Sequence, residues 1–221
     1  MIIDERMVTY INSLDTGHTP FLENLERTAK QDRVPIIRRE MQSFLKVFLK
    51  MKQPKRILEV GTAVGFSAVF MAQYGEPDAE ITTIENYEKR IPIARANFEK
   101  SGFADRITLI PGDAAEVLKT LDGPYDFIFM DAAKGQYIHF LPEVLRVLDK
   151  NGVLITDNVL QDGDVIESRF AVERRNRTIH KRMREYLFEL THNEGLLTSV
   201  VPLGDGIAIT MKSHEKREET T

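Results

Sequence analysis

The chain of 221 residues is long enough to bury one full core, and its formal net charge of -4 argues against a general affinity for nucleic acid. Cysteine is absent, which excludes disulfides, thiolate metal sites and cysteine nucleophiles. No apolar run approaches a membrane span and the opening Met1-Ile-Ile-Asp-Glu-Arg6 has no signal-peptide pattern, so the cytoplasm is the expected location, with no membrane partner. Without a linker or a repeat, a single domain over residues 1–221 is expected, ending near Met211, with the polar tail from Ser213 to Thr221 frayed. In chain order, Ile37, Met41, Phe44, Leu45 and Phe48 stand at helical spacing and give one apolar face between Ile37 and Met51, expected to cover the ligand side of a sheet. After residue 55 short β-rich runs follow: Ile57 to Val60, Ile81 to Ile84, Ile107 to Ile110, Phe127 to Met130 and Val153 to Thr156. Helical patterns lie between them, at Ser67 to Gln73, Glu88 to Lys100, Ala114 to Leu121 and Tyr137 to Leu148. That alternation predicts an α/β fold with a parallel, doubly wound sheet. Runs near Thr198 to Val201 and Ile207 to Met211, separated only by Pro202-Leu-Gly-Asp-Gly206, predict an antiparallel hairpin at its edge.

The segment Arg56-Ile-Leu-Glu-Val-Gly-Thr-Ala-Val-Gly-Phe-Ser67 reads as a buried strand, a turn opened by Gly61 and Gly65, and a helix whose first N–H groups face a ligand. Its spacing, E-x-G-x-x-x-G, differs from the dinucleotide pattern, and no P-loop lysine follows. The carboxylate at Glu59 and the missing third glycine argue for a ligand with positive charge, an ammonium or a sulfonium; S-adenosylmethionine has both. An ordinary strand-to-helix turn is the bland alternative.

Ligands of open α/β sheets bind beyond the carboxyl ends of the strands, and four strands here end in carboxylates. Glu85 is placed to accept both hydroxyls of a ribose. Asp113-Ala114 can meet an adenine edge, and Asp113 reads equally well as a helix N-cap. Asp131, Asp157 and Asn158 offer only oxygen ligands, from strands expected to be neighbours, which suits magnesium, with manganese as the alternative. Lys134, three residues after Asp131, is a candidate general base beside such a cation. Asp205 belongs first to the hairpin turn and second to a substrate contact. From Arg169 to Arg184 seven basic residues, among them Arg174, Arg175, Arg177, Lys181 and Arg182, face the single acid Glu173. They share a predicted helix with the apolar stripe Ile179, Met183, Tyr186, Leu187 and Leu190. A solvated face is the usual meaning of such a run; contact with phosphates is the sharper one.

Glu59-Val-Gly-Thr-Ala-Val-Gly-Phe-Ser67, Asp131-Ala-Ala-Lys-Gly-Gln-Tyr137, Thr156-Asp-Asn-Val159 and Pro202-Leu-Gly-Asp-Gly206 together resemble the divalent-metal-dependent O-methyltransferases, the class of catechol and caffeoyl-CoA O-methyltransferases. The resemblance implies a Rossmann-like class I methyltransferase: a seven-stranded, mostly parallel sheet with an antiparallel C-terminal hairpin and N-terminal helices, and a homodimer. It further implies contacts of Ile37, Ser67, Glu85, Asp113, Ala114 and Asp131 with S-adenosylmethionine, magnesium on Asp131, Asp157 and Asn158, and Lys134 as base. Val34-Pro-Ile36, Lys52-Gln-Pro-Lys55 and the basic segment resemble the bacterial branch that methylates 5-hydroxyuridine at the wobble position of tRNA, with the anticodon region as partner. One departure favours a substrate other than a flat catechol: Ala132-Ala133 stand where catechol enzymes have a bulky aromatic residue before the lysine. Small catechol-like phenols are the alternative substrate, and a noncatalytic S-adenosylmethionine- or RNA-binding module the alternative class.

Overall fold

The computed structural model describes residues 4–213, and the predicted frayed tail beyond Ser213 lies outside them. The chain packs as two compact units, one up to Leu121 and one from Asp122 onward. Between them they carry seven strands, mostly parallel with an antiparallel C-terminal pair, the Rossmann-like arrangement expected.

The first unit opens with three helices, α1 (Glu5–Ser13), α2 (Pro20–Gln31) and α3 (Arg39–Lys52). Asp4 caps α1 by accepting from the amides of Arg6 and Met7, and Thr19 caps α2 with Pro20 at the first helical position, where a missing N–H costs nothing. There follow β1 (Arg56–Val60), α4 (Phe66–Tyr74), β2 (Glu80–Glu85), α5 (Ile91–Ser101), β3 (Ile107–Pro111) and α6 (Ala114–Thr120). The strands pair in parallel in the order β3-β2-β1. Helix α4 buries every side of its first two turns, with Phe66, Val69 and Phe70 at the core, so it shows no amphipathic stripe. Helix α3 packs on α4 and α1, with Met41, Leu45 and Leu49 buried and Phe44 stacked on Phe48 at its margin. One expectation needs correction. Helix α5 starts at Ile91, three residues later than Glu88, because Pro92 sets the first turn and Tyr87–Arg90 forms a turn of its own.

The second unit contains β4 (Tyr125–Met130), α7 (Tyr137–Val147), β5 (Leu148–Thr156), α8 (Arg177–His192), β6 (Leu196–Val201) and β7 (Ile207–Lys212). Its strands run in the order β4-β5-β7-β6, parallel for the first pair and antiparallel for the others, as the short turn at 202–206 requires. Phe127, Phe129, Ile155, Tyr137, Tyr186 and Met183 fill its core. Strand β5 begins at Leu148, five residues before the predicted Val153, since its first residue pairs with Tyr125. The basic run is also not one helix. Residues 167–173 form a loop, Arg174–Asn176 a single 3-10 turn, and α8 starts only at Arg177. Among the described residues no helix is long and apolar enough to cross a membrane.

Candidate active site

In the first unit the chain leaves β1 through a turn whose Gly61, Ala63 and Gly65 all have positive φ, of 107°, 47° and 84°. Neighbouring elements pin it. The amides of Gly61 and Thr62 donate to the Ile84 carbonyl at 3.1 and 3.2 Å, Ala63 N donates to Glu85 Oε2 at 2.7 Å, and Asn97 Nδ2 donates to the Val64 carbonyl at 2.8 Å. Gly65 is required by packing as much as by any ligand, for a Cβ there would stand 2.5 Å from the Phe98 ring. Glu59 is fully buried and accepts from the Thr83 hydroxyl, which lies 2.6 Å from the Thr62 hydroxyl. It therefore braces the turn from beneath through two hydroxyls. Glu85 Oε1 accepts from Asn86 N and Tyr87 N at 3.0 and 2.8 Å, so three amides orient its carboxylate, which keeps room for a further donor. Asp113, two residues beyond the β3 partner of Glu85, caps α6 through Ala115 N at 2.8 Å, with Ala114 opening that helix. Ser67 lies half-buried in the first turn of α4. Ile37 is buried ahead of α3, where its carbonyl accepts from Gln42 Nε2 at 2.8 Å.

In the second unit the pairing of Met130 with Thr156 places Asp131 and Asp157 level with each other at the carboxyl ends of adjacent parallel strands. Asp157 N donates to the Met130 carbonyl at 3.0 Å, and Asp157 Oδ1 accepts from Asn158 N at 2.7 Å. Asn158 has φ of 58°, a left-handed conformation that asparagine tolerates better than most residues. Burial pushes both carboxyls up, Asp131 to about 6 and Asp157 to about 7. The Asp131 charge adds to the rise at Asp157, and Lys134 opposes it at both. Two acids that repel each other in a buried place, with an amide beside them, match the donor set of a hard divalent cation, whose charge would let both ionise. Among the described residues no cluster of three or more His, Cys, Asp and Glu side chains is arranged to hold a metal, so the candidate set is two carboxylates and an amide.

Lys134 occupies a 3-10 turn after β4, and its Nζ lies 3.2 Å from Asp205 Oδ2. Asp205 is 3% exposed and also accepts from the amide of Asp162, so it braces Lys134 and the loop after β5 instead of pointing outward to a substrate. The residue was legible as part of a turn; its pairing with a lysine 71 positions away was not. Sequence reasoning also missed Tyr137, which stands at apolar helical spacing. Its ring is fully buried, and its hydroxyl lies 3.3 Å from the carbonyls of Ala132 and Asp157, tying together the two acid-bearing turns. Burial and the two nearby carboxylates hold its own proton on well above the usual phenol range.

The basic candidates divide. Arg177 donates to the Val172 carbonyl at 3.1 Å, Arg182 to the Gly135 carbonyl at 3.0 Å and Arg184 to the Val165 carbonyl at 3.1 Å, so these three clasp backbone. Arg175 pairs with Glu173 at 2.7 Å and Lys181 with Glu185 at 3.5 Å, both at the surface, while Arg174 and Arg169 are exposed.

Comparison with known proteins agrees with this layout. The sequence profile of the O-methyltransferase family matches residues 12–213, and the chain belongs to that family. A catechol O-methyltransferase of Mycobacterium tuberculosis is 30% identical over 160 residues, 71% of this chain and 73% of its own length. A caffeoyl-CoA O-methyltransferase of Nicotiana tabacum is 31% identical over 182 residues, 75% of this chain and 72% of its own. Among solved structures, the methyltransferase PaMTH1 of Podospora anserina, bound to S-adenosylhomocysteine, superposes with a TM-score of 0.86, with 27% identity over 95% of this chain and 94% of its own.

Proposed function

We propose that this enzyme transfers the methyl group of S-adenosylmethionine to the 5-hydroxyl of 5-hydroxyuridine at the tRNA wobble position, giving 5-methoxyuridine, with a divalent cation, magnesium in the first instance. The observation that carries the reading is the level placement of half-buried Asp131 and buried Asp157 at the ends of adjacent strands, with Asn158 next in the chain and Lys134 three residues past Asp131. These acids and the amide would hold the cation, which when bound supplies Lewis-acid polarisation of the acceptor oxygen. Lys134, having first given up its own proton to solvent, takes the proton of the hydroxyl, and Asp205 fixes its Nζ and offsets the positive charge it carries before and after the step. The C–S bond of the sulfonium breaks as the new O–C bond forms, and S-adenosylhomocysteine leaves. In the first unit Glu85 would accept the ribose hydroxyls, Asp113 and Ala114 would face the adenine, and the Gly61–Gly65 turn would hold the methionine portion. Ile37 and Ser67 complete the proposed cofactor contacts, and Glu59 acts through the threonine hydroxyls above it.

One feature permits an RNA acceptor and a second favours it. The 5-oxygen and 4-carbonyl oxygen of 5-hydroxyuracil are vicinal, as the two oxygens of a catechol are, so one metal set serves either. Exposed Arg169, Arg174 and Arg175 add a local positive surface to an acidic protein. Similarity to catechol and caffeoyl-CoA enzymes favours a second reading, a small catechol-like phenol as acceptor. Purified protein incubated with S-adenosylmethionine, magnesium and tRNA lacking the modification separates the two. The first reading expects 5-methoxyuridine by mass spectrometry after digestion to nucleosides, lost on chelation. A catechol methylated in parallel, with 5-hydroxyuridine present and untouched in the tRNA, selects the second.

A further inference from the structure

The loop between β5 and α8 combines a fastened backbone with displaced apolar side chains. Side chains of α8 hold four of its carbonyls: Arg184 that of Val165, His180 Nε2 that of Glu167 at 3.1 Å, and Arg177 those of Phe170 and Val172. Val165 and Val172 turn inward and are buried. Between them Ile166 and Phe170 are 80% and 85% exposed, and Phe170 exceeds every other large apolar side chain among the described residues. The clasps fix the loop backbone while Ile166 and Phe170 remain at the surface, an exposed apolar pair of the kind that marks interaction sites. The neighbourhood favours an anion with a flat face. Arg169, Arg174 and Arg175 lie within five residues of Phe170, and a cavity of about 400 Å³ beside the loop is lined by Arg169, Lys181 and Arg184, with Glu167 and Glu185 as its acids.

The geometry points to Phe170 as a stacking platform for an unpaired base of a single-stranded RNA segment, with Arg169 and Arg174 meeting the adjoining phosphates. This inference rests on the RNA reading above and gives it a contact surface. Every base has a π-face, so stacking on Phe170 recognises an unpaired nucleotide without selecting its identity, and a duplex, whose bases are already stacked, is excluded. The loop is also joined to the chemistry, because Asp162, at its start, donates its amide to the same Asp205 that holds Lys134.

The chain contains no tryptophan, so Phe170→Trp places the only one on the platform. Titration of that variant with oligouridine is expected to quench its emission saturably, with affinity falling as salt rises, and an RNA duplex of equal length is expected to leave it nearly unchanged. Phe170→Ala should raise KM for the tRNA substrate on the order of tenfold with kcat and KM for S-adenosylmethionine little altered. Unquenched emission, together with an unaltered KM in Phe170→Ala, would overturn the platform while tRNA methylation by the unmodified enzyme left the RNA reading standing. If the unmodified enzyme neither binds nor methylates RNA but methylates a catechol, the RNA reading itself falls. Quenching by coenzyme A at least as tight as by oligouridine, or an emission change with protein concentration alone, would overturn the assignment in favour of a thioester substrate or a second copy of the chain.

Discussion

The carboxylates of the first unit and those of the second meet different environments. Glu85 is oriented by three backbone amides, and the turn it holds is fixed by two further elements. Asp131 and Asp157 lie at level strand ends, and burial pushes both toward their neutral forms, with the Asp131 charge adding to the rise at Asp157. The first arrangement is complete as folded and needs only a neutral hydroxyl or an ammonium to add to it. The second becomes favourable in its ionised form only when a cation joins it. Positioning is thus concentrated in one half of the chain and charge held in reserve in the other.

That contrast can be broken residue by residue. The largest expected effect is from Asp157→Ala, which should lower methyl transfer roughly a thousandfold or more by removing a cation ligand. Its affinity for S-adenosylmethionine, measured by calorimetry without metal, should change little, because Asp157 is not among the proposed cofactor contacts. Lys134→Met should reduce kcat by about 10²- to 10⁴-fold, the usual range for a lost general base. Arg182→Ala should cost on the order of tenfold in kcat on any acceptor, since its bond to the Gly135 carbonyl fixes the turn that carries Lys134. A loss confined to RNA substrates would instead make Arg182 a phosphate contact. Gly65→Ala should destabilise the fold by about 1–3 kcal/mol in a urea titration, combining a left-handed residue with a Cβ in the Phe98 ring.

The smallest effect is the one most specific to the comparison. The folded-state values for Asp131 and Asp157 lie above the ordinary carboxylate value, so without metal their contribution to stability is full below about pH 4 and is lost as pH rises through about 6 to 7. Asp157→Asn should therefore raise Tm by a few degrees at pH 8 in the absence of metal, and by clearly less at pH 5. Added magnesium should raise Tm of the unmodified protein at pH 8 and fail to do so at pH 5. Equal Tm changes at both pH values would remove the charge argument.

The elements most legible in the sequence were those with strict periodicity or glycine punctuation. Strands β1 to β4 and the terminal hairpin lie close to where alternation of apolar runs with turns put them, β5 ends there but starts five residues early, and the strand-end acids Asp131 and Asp157 lie side by side as neighbouring strands required. Fold and family follow from these. What the sequence concealed depends on long-range contact. Nothing local distinguishes an arginine that clasps a carbonyl from one that faces solvent, so Arg177 and Arg182 read as surface charge. Tyr137 reads as core because its apolar spacing is genuine, and only the fold shows its hydroxyl between the two acid-bearing turns. Gly65 was read for the ligand and is equally constrained by Phe98, on a helix 26 residues downstream at the nearest end.

The central claim, that Asp131, Asp157 and Asn158 await a divalent cation, is tested most directly by titrating magnesium into the protein with S-adenosylmethionine present, following heat at pH 6.5 in two buffers of different ionisation enthalpy. The account predicts one site, protons released on binding because the raised carboxyls must ionise, and no detectable binding to Asp157→Ala. Magnesium bound equally by that variant, or bound without proton release, would contradict it.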